Sequence, residues 1–528
     1  MKRAHHFAKV INNTFAERFT AVRTRILHSK EAVGMTHQAN SFAIGYYQLG
    51  FISLKPLLCL RYTCEYFYPL HHYFNAQISD CRPEVLIWIE NYKTMNKIYS
   101  LLFILFSVSV MAQVNPKLQA NIDKMAKEIE PKLIEWRRHF HQYPELSNRE
   151  TKTAAKIAEH LKSLGIEVQT GVAHTGVVGI LKGSKPGPVI GLRADMDALP
   201  VTERNSLPFA SKERTTFNGV ETGVMHACGH DTHVSILMAV AEILSKNKSE
   251  LKGTIKFIFQ PAEEGPPAGE EGGAGLMVKE GVLENPRVDV IFGMHIQSIS
   301  PLGRITYRPA GMMAASDWFS IKVKGKQAHG AAPWMGVDPI VVSAQIINAL
   351  QTIVSRQTEL TKEAAVITIG RIQAGVRENI IPEEAFMAGT IRTLDAGMQE
   401  KIHEKIKLTA TKIAESAGAT AEVTIDKKTP VTYNDIALTE KMVSSLQKAV
   451  GEKNVVRINA VTGAEDFAFY QEKIPGFFFF VGAMPPEQNL NTVPSHHTPD
   501  FMVDERGMLP GLKAMLQLTL DYMYMLAK

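Results

Sequence analysis

TIKFIFQPAEEG, residues 254–265, starts as a mostly apolar run of about one strand's length and ends on two adjacent carboxylates. A near-continuous apolar run fits a strand covered on both faces, as in the parallel sheets of α/β proteins. Three further stretches are built alike: PVIGLRAD (188–195) closes on Asp195, VDVIFGMH (288–295) closes on His295, and GFFFFVGA (476–483) is followed after a loop by His496 and His497. Amphipathic patterns, among them Lys117–Tyr143 and Glu150–Leu164, alternate with such runs and predict an α/β architecture. In open α/β sheets ligands bind beyond the carboxyl ends of the strands, so these ends offer acids and imidazoles to one rim.

MHACGHDTH (225–233) belongs on the same rim. It precedes VSILMAVAEILSK, which has helical periodicity, so it sits at a helix N-terminus, a place that favours the thiolate of Cys228. Gly229 lets the backbone turn, and the offset of two aims Cys228 and His230 at one centre. With Glu264, His295 and His497 the set holds one sulfur, three nitrogens and one carboxylate, more than a single tetrahedral zinc needs. Two ions sharing a water would use all of it. His226, His233 and His496 read equally well as hydrogen-bonded core histidines, and Asp231 as the cap of the helix. Side chains alternate along a strand end, which divides the glutamates: Glu264 as ligand, Glu263 as general base. The glycine-rich GPPAGEEGGAG (265–275) reads as a loop over the site, since no P-loop lysine follows it.

Charge and cysteines divide the chain. Residues 1–94 hold 11 Lys+Arg against 6 Asp+Glu, whereas from Gln113 onward 46 basic residues face 47 acidic ones. That balance excludes a nucleic-acid-binding body, which needs a sustained positive excess. Cys59, Cys64 and Cys81 lie in the extension, so Cys228 has no disulfide partner in the main body. From Met95, MNKIYSLLFILFSVSVMAQ has the layout of a secretory signal peptide over 95–112, short for a membrane span. Residues 1–94 then stand upstream of the working start, and the mature protein begins near Gln113 and is exported, periplasmic or secreted, with no stable span after processing. The competing account is an internal membrane anchor; without use of the segment the protein is cytoplasmic.

Between residues 312 and 428 the pattern becomes strand, helix, strand, strand, helix, strand, the βαββαβ order of a ferredoxin-like unit. It is inserted, because strand-end residues lie on both sides of it: catalytic parts 113–311 and 429–528 flank a lid, with hinges near 311 and 429. Inside it, His329, Asn379 and Arg392 read by themselves as surface residues.

RRHFHQYPELS (137–147), RADMDALP (193–200), MHACGHDTH, QPAEEG, GMHI (293–296), HGAAPWMGVDP (329–339), NIIP, GTIRT, GAEDFAFY (463–470) and HHTPDF (496–501) occur in this order. Together they resemble the N-acyl-amino-acid amidohydrolase branch of the dimetal aminoacylase and carboxypeptidase superfamily, which includes hippurate hydrolases and auxin-conjugate hydrolases. The resemblance spans nearly all of the chain after Gln113 and none of residues 1–94. It implies a mixed-sheet metallopeptidase-like catalytic domain, two divalent ions, manganese or zinc, held by Cys228, His230, Glu264, His295 and His497, and Glu263 as base. It further implies that Asp195 is an acid beside the metals, that His329 holds the developing oxyanion, often from a partner subunit in a lid-mediated homodimer, and that Asn379 and Arg392 contact the substrate carboxylate. Arg193 stands where other branches place a ligating histidine. The expected substrate is a small N-acyl amino acid, cleaved at its amide; the alternatives are a carboxypeptidase or dipeptidase with the same machinery, and a binding protein that kept the fold. Retention of Glu263 argues against the last.

Overall fold

The computed structural model describes residues 114–525, so the extension 1–94 and the signal-like segment 95–112 lie outside the described residues. The first expected helix is two, α1 (Pro116–Glu128) and α2 (Glu130–Gln142), followed by α3 (Thr151–Ser163). Pro131 has no amide hydrogen to extend α1 and starts the next helix instead.

In chain order the strands of the two large sheets begin with β1 (Glu167–Val172), β2 (Gly176–Lys182), β3 (Lys185–Asp195), β4 (Lys252–Gln260), β5 (Val290–Pro301) and β6 (Ile305–Tyr307). They continue with β7 (Ala315–Lys324), β8 (Ala365–Ala374), β9 (Glu384–Thr393), β10 (Thr420–Thr429), β11 (Val455–Arg457) and β12 (Gly476–Met484). The larger sheet has eight strands in the order β1-β2-β4-β3-β5-β12-β6-β11. Its centre, β4-β3-β5-β12, is parallel, while β1, β2 and β6 pair antiparallel with their neighbours toward the centre, giving the mixed sheet.

The run of phenylalanines shows why the central strands are apolar throughout. Phe477 and Phe479 enter the core cluster on one face, and Phe478 and Phe480 enter the cluster on the other. The first face is covered by α4 (His230–Lys246) and α7 (Met508–Met525), which pack on each other and on β3 and β5. Every residue of α4 from His230 to Leu244 is buried, which fits a helix apolar nearly all round. Among the described residues no helix is long and apolar enough to cross a membrane.

The insertion forms a four-stranded antiparallel sheet, β8-β9-β7-β10, with α5 (Pro339–Gln357) and α6 (Ala396–Ser416) packed on it. The connection order is the expected βαββαβ. Asp338 caps α5 by accepting from the amides of Ile340 and Val341, and Asp395 caps α6 by accepting from Met398. Phe319, Ile321 and Val323 meet Ile346, Leu350 and Ile402 in a core of their own. Where the chain enters and leaves this unit, Ala310–Met313 pairs antiparallel with Thr432–Asn434.

Candidate metal centre

The site forms where β3 and β4 stop. Gly229 precedes α4 with φ 97°, and a Cβ there would stand 2.4 Å from Ile296 Cγ2. A non-glycine residue meets both backbone strain and a clash, so Gly229→Ala is expected to cost about 1–3 kcal/mol, read as a lower thermal midpoint, and to reduce bound metal because Cys228 and His230 flank the turn.

Asp231 does not cap the helix. The cap position belongs to Gly229, and the Asp231 carboxylate turns inward, 2.9 Å from both Arg137 Nε and His141 Nδ1. Burial opposes its charge, but Arg137 and His141 outweigh that and hold the carboxyl below its ordinary range. A buried cation is a stronger partner than two backbone amides.

The predicted ligands come together. Cys228 Sγ lies 3.3 Å from His295 Nε2 and 3.3 Å from His497 Nε2. His497 Nε2 is 3.2 Å from Glu264 Oε1, and His230 Nε2 is 3.9 Å from the same oxygen. Donor atoms of Cys228, His230 and His295 fall within 4.8 Å of one another, as do those of Cys228, Glu264 and His497. The far ring nitrogens are occupied: His230 Nδ1 at 2.9 Å from the Asp197 carbonyl, His295 Nδ1 at 2.5 Å from the Ile296 carbonyl. Such bonds place the proton on Nδ1 and turn each Nε2 lone pair toward the shared space.

The glutamates diverge for a reason other than strand alternation. β4 ends at Gln260, and Ala262, at φ 52°, opens a turn closed by Gly265 N donating to the Ala262 carbonyl. Both carboxylates approach His230 Nε2, Glu263 at 3.8 Å. Glu264 continues toward His497, whereas Glu263 faces Glu465 and Asp466.

The electrostatics call for positive charge. Burial and the carboxylates of Glu264, Glu263 and Asp195 push the Cys228 thiol well above its ordinary range, outweighing the helix N-terminus expected to favour the thiolate. Burial, then Glu465, Glu264 and Asp466, likewise raise Glu263 well above the usual carboxylate range. Among the described residues His230 Nε2 is buried with no hydrogen-bond partner, and buried Glu264 Oε1 has only the approach to His497. Buried unpartnered lone pairs are costly, and their convergence with a sulfur and imidazoles fits divalent cations of the zinc or manganese type.

The other histidines of the motifs behave as core residues. His496 Nε2 accepts from Ser298 N and its Nδ1 faces the Cys228 carbonyl, so both nitrogens are taken. His226 is buried but, against the hydrogen-bonded reading, neither ring nitrogen has a partner among the described residues, and burial lowers its pKa to about 4.

Two acids escaped the sequence reading. Arg193, fully buried, donates to Gln260 Oε1 at 2.8 Å, Asp195 Oδ2 at 2.6 Å, Glu465 Oε1 at 2.8 Å and Asp466 Oδ1 at 2.9 Å. GAEDFAFY was recognisable as a motif, but its acids follow no apolar strand and gave no rim signal. The only hint of them is indirect: a guanidinium such as Arg193 at the end of a buried strand needs carboxylates around it, without saying where in the sequence they lie.

In the lid, His329 is exposed on a two-residue strand paired with Ile380–Ile381, and Gly330 N donates to the Asn379 carbonyl at 2.9 Å, which brings His329 and Asn379 together. Arg392 lies on β9 between Ser316 and Val366. Among the described residues no hydrogen bond or ion pair joins these three to the cluster around Cys228.

Residues 191–521 match the model of peptidase family M20/M25/M40. The chain is 42% identical to thermostable carboxypeptidase 1 of Saccharolobus solfataricus over 74% of this chain and 94% of that protein. It is 39% identical to the N-acetylcysteine deacetylase of Bacillus subtilis over 72% of this chain and 94% of that one. The crystal structure of the Bacillus subtilis YXEP protein, described as a dinuclear metal binding peptidase from the M20 family, aligns with a TM-score of 0.63 at 36% identity, covering 75% of this chain and 99% of that one. The mixed sheet, the inserted βαββαβ unit and these matches agree: the chain belongs to peptidase family M20/M25/M40 and is a metal-dependent hydrolase.

Proposed function

We propose that this protein hydrolyses the amide bond of N-acyl amino acids, with two divalent ions held by Cys228, His230, Glu264, His295 and His497. The observation that carries the reading is the placement of Cys228 Sγ at 3.3 Å from the imidazoles of both His295 and His497, with the Glu263 carboxylate 3.8 Å from His230 Nε2 and facing Glu465 and Asp466. Likeness to a deacetylase and to a dinuclear metal binding peptidase supports it. When bound, the ions supply Lewis-acid polarisation of the amide carbonyl and of a water molecule.

The chain's own residues do the rest. Glu263, raised in basicity by burial and by neighbouring acids, takes the proton of the attacking water and returns it to the leaving amine. Asp195, its oxygens held by Arg193 and His233, orients the histidines beside the centre. Lid closure brings His329 to the developing oxyanion and Asn379 and Arg392 to the substrate carboxylate, in a homodimer that supplies His329 from the partner. Likeness to a carboxypeptidase favours a second reading, peptide hydrolysis at the same centre.

Two measurements test this. Cys228→Ala is expected to lose about one bound ion per chain and nearly all turnover; unchanged metal stoichiometry refutes ligation by Cys228. A panel of N-acetyl, N-benzoyl and dipeptide substrates, run on apoprotein with manganese or zinc restored, is expected to give higher kcat/KM for the N-acyl amino acids; higher values for dipeptides select the second reading.

A further inference from the structure

His233 carries the same residue type as the ligands, and its ring lies within 4.8 Å of Asp195 and His230 donor atoms, yet neither nitrogen is free. Nε2 accepts the amide hydrogen of Ile296 at 2.8 Å. A backbone N–H only donates, so Nε2 bears no proton, and Nδ1–H donates to Asp195 Oδ1 at 2.5 Å. The second oxygen of Asp195 is fixed by Arg193 at 2.6 Å.

The far end of this chain of bonds is a ligand. β5 pairs with β3 only as far as Gly293, opposite Arg193. Past that point the amide of Ile296 goes to His233 instead of to a strand on that side, while the Ile296 carbonyl accepts from His295 Nδ1 at 2.5 Å. One residue thus receives His233 on its amide and orients His295 on its carbonyl.

We propose that His233 is a positioning residue, which carries the anchorage of Asp195 on Arg193 through the two backbone groups of Ile296 to His295 and so sets the affinity of the ion that His295 binds. The inference rests on the reading of His295 as a ligand. It assigns His233 no contact with substrate, so its effect falls on metal affinity and not on KM at saturating metal.

The test is titration of apoprotein with zinc(II) against a chromophoric chelator, for wild type, His233→Leu, His233→Gln and His295→Ala. His233→Leu removes donor and acceptor, and weakens one of the two ions by about ten- to a hundredfold, whereas His233→Gln, which keeps one of each, recovers most of that loss. KM measured at saturating zinc stays at the wild-type value in both. Wild-type affinity for both ions in His233→Leu overturns the proposal, as does an equal loss in His233→Gln or a rise in KM without a change in metal affinity. Should His233→Leu fail to fold, His233→Asn, whose amide is one methylene short of serving both partners, replaces it against His233→Gln with the same expected and overturning results. If His295→Ala keeps both ions, the ligand reading itself fails; if it loses one while the His233 variants lose none, only the positioning role falls.

Discussion

Glu263→Gln is expected to lower kcat toward N-acyl amino acids by about 10²–10⁴-fold while bound metal stays at the wild-type level. The substitution keeps the size and hydrogen-bonding shape of the side chain and removes its capacity to hold a proton. Glu263 reaches His230 at 3.8 Å but, unlike Glu264, makes no approach to His497, so the ligand set is left in place. Burial and then its neighbours Glu465, Glu264 and Asp466 make the carboxylate a stronger base than an exposed glutamate. The matching substitution Glu264→Gln separates the two roles, because there the expected first loss is metal. Steady-state kinetics beside elemental analysis of the same samples reads both; near-normal turnover in Glu263→Gln with full metal refutes the general-base role.

The sheet was legible because burial on both faces writes itself as an uninterrupted apolar run. GFFFFVGA needed no periodicity to be read as a strand, and its phenylalanines do divide between the two core clusters. The five residues proposed as ligands were legible for a related reason, that apolar runs stop near them or the helix behind starts there, although His295 lies inside β5, which continues to Pro301, and His497 follows β12 only after a loop. Asp231 and Cys228 show the limit. A short acid at a helix start and a thiol at a helix N-terminus carry local rules, but at this site Arg137 and a group of carboxylates override them through contacts made across long stretches of chain. Glu465 and Asp466 were illegible on the same account, since nothing near them in sequence announces a salt bridge to Arg193, more than 270 positions away. Strand pattern also assigns Arg392 to its sheet without saying which surface of the lid meets the site, and it gave no strand for His329, whose pairing spans only two residues.

Arg193→Met is expected to cost about 3–5 kcal/mol of folding stability, a large share of what a domain possesses. Among the described residues the guanidinium is the one arginine or lysine group touching Asp195, Glu465 and Asp466, all buried, and methionine fills much of its volume without its charge. Even beside Arg193, burial lifts Glu465 to about 7 and Asp466 to about 6, from ordinary values of 4.5 and 3.8. The sign follows from proton counts: the folded state holds protons that the unfolded state has released, so these two groups erode stability as pH rises from near 4 toward 7. Without Arg193 the folded-state values move higher still. The deficit of Arg193→Met against wild type is therefore expected to be greatest at neutral pH and to shrink as pH falls through and below the ordinary values of 4.5 and 3.8, where both carboxyls become protonated folded or unfolded. Arg193→Lys, which keeps the charge but not the planar fork that serves four acceptors, should fall between the two. Urea denaturation at several pH values measures this; a deficit independent of pH would mean that Arg193 stabilises by packing alone and that the acids around Glu263 are held by other means.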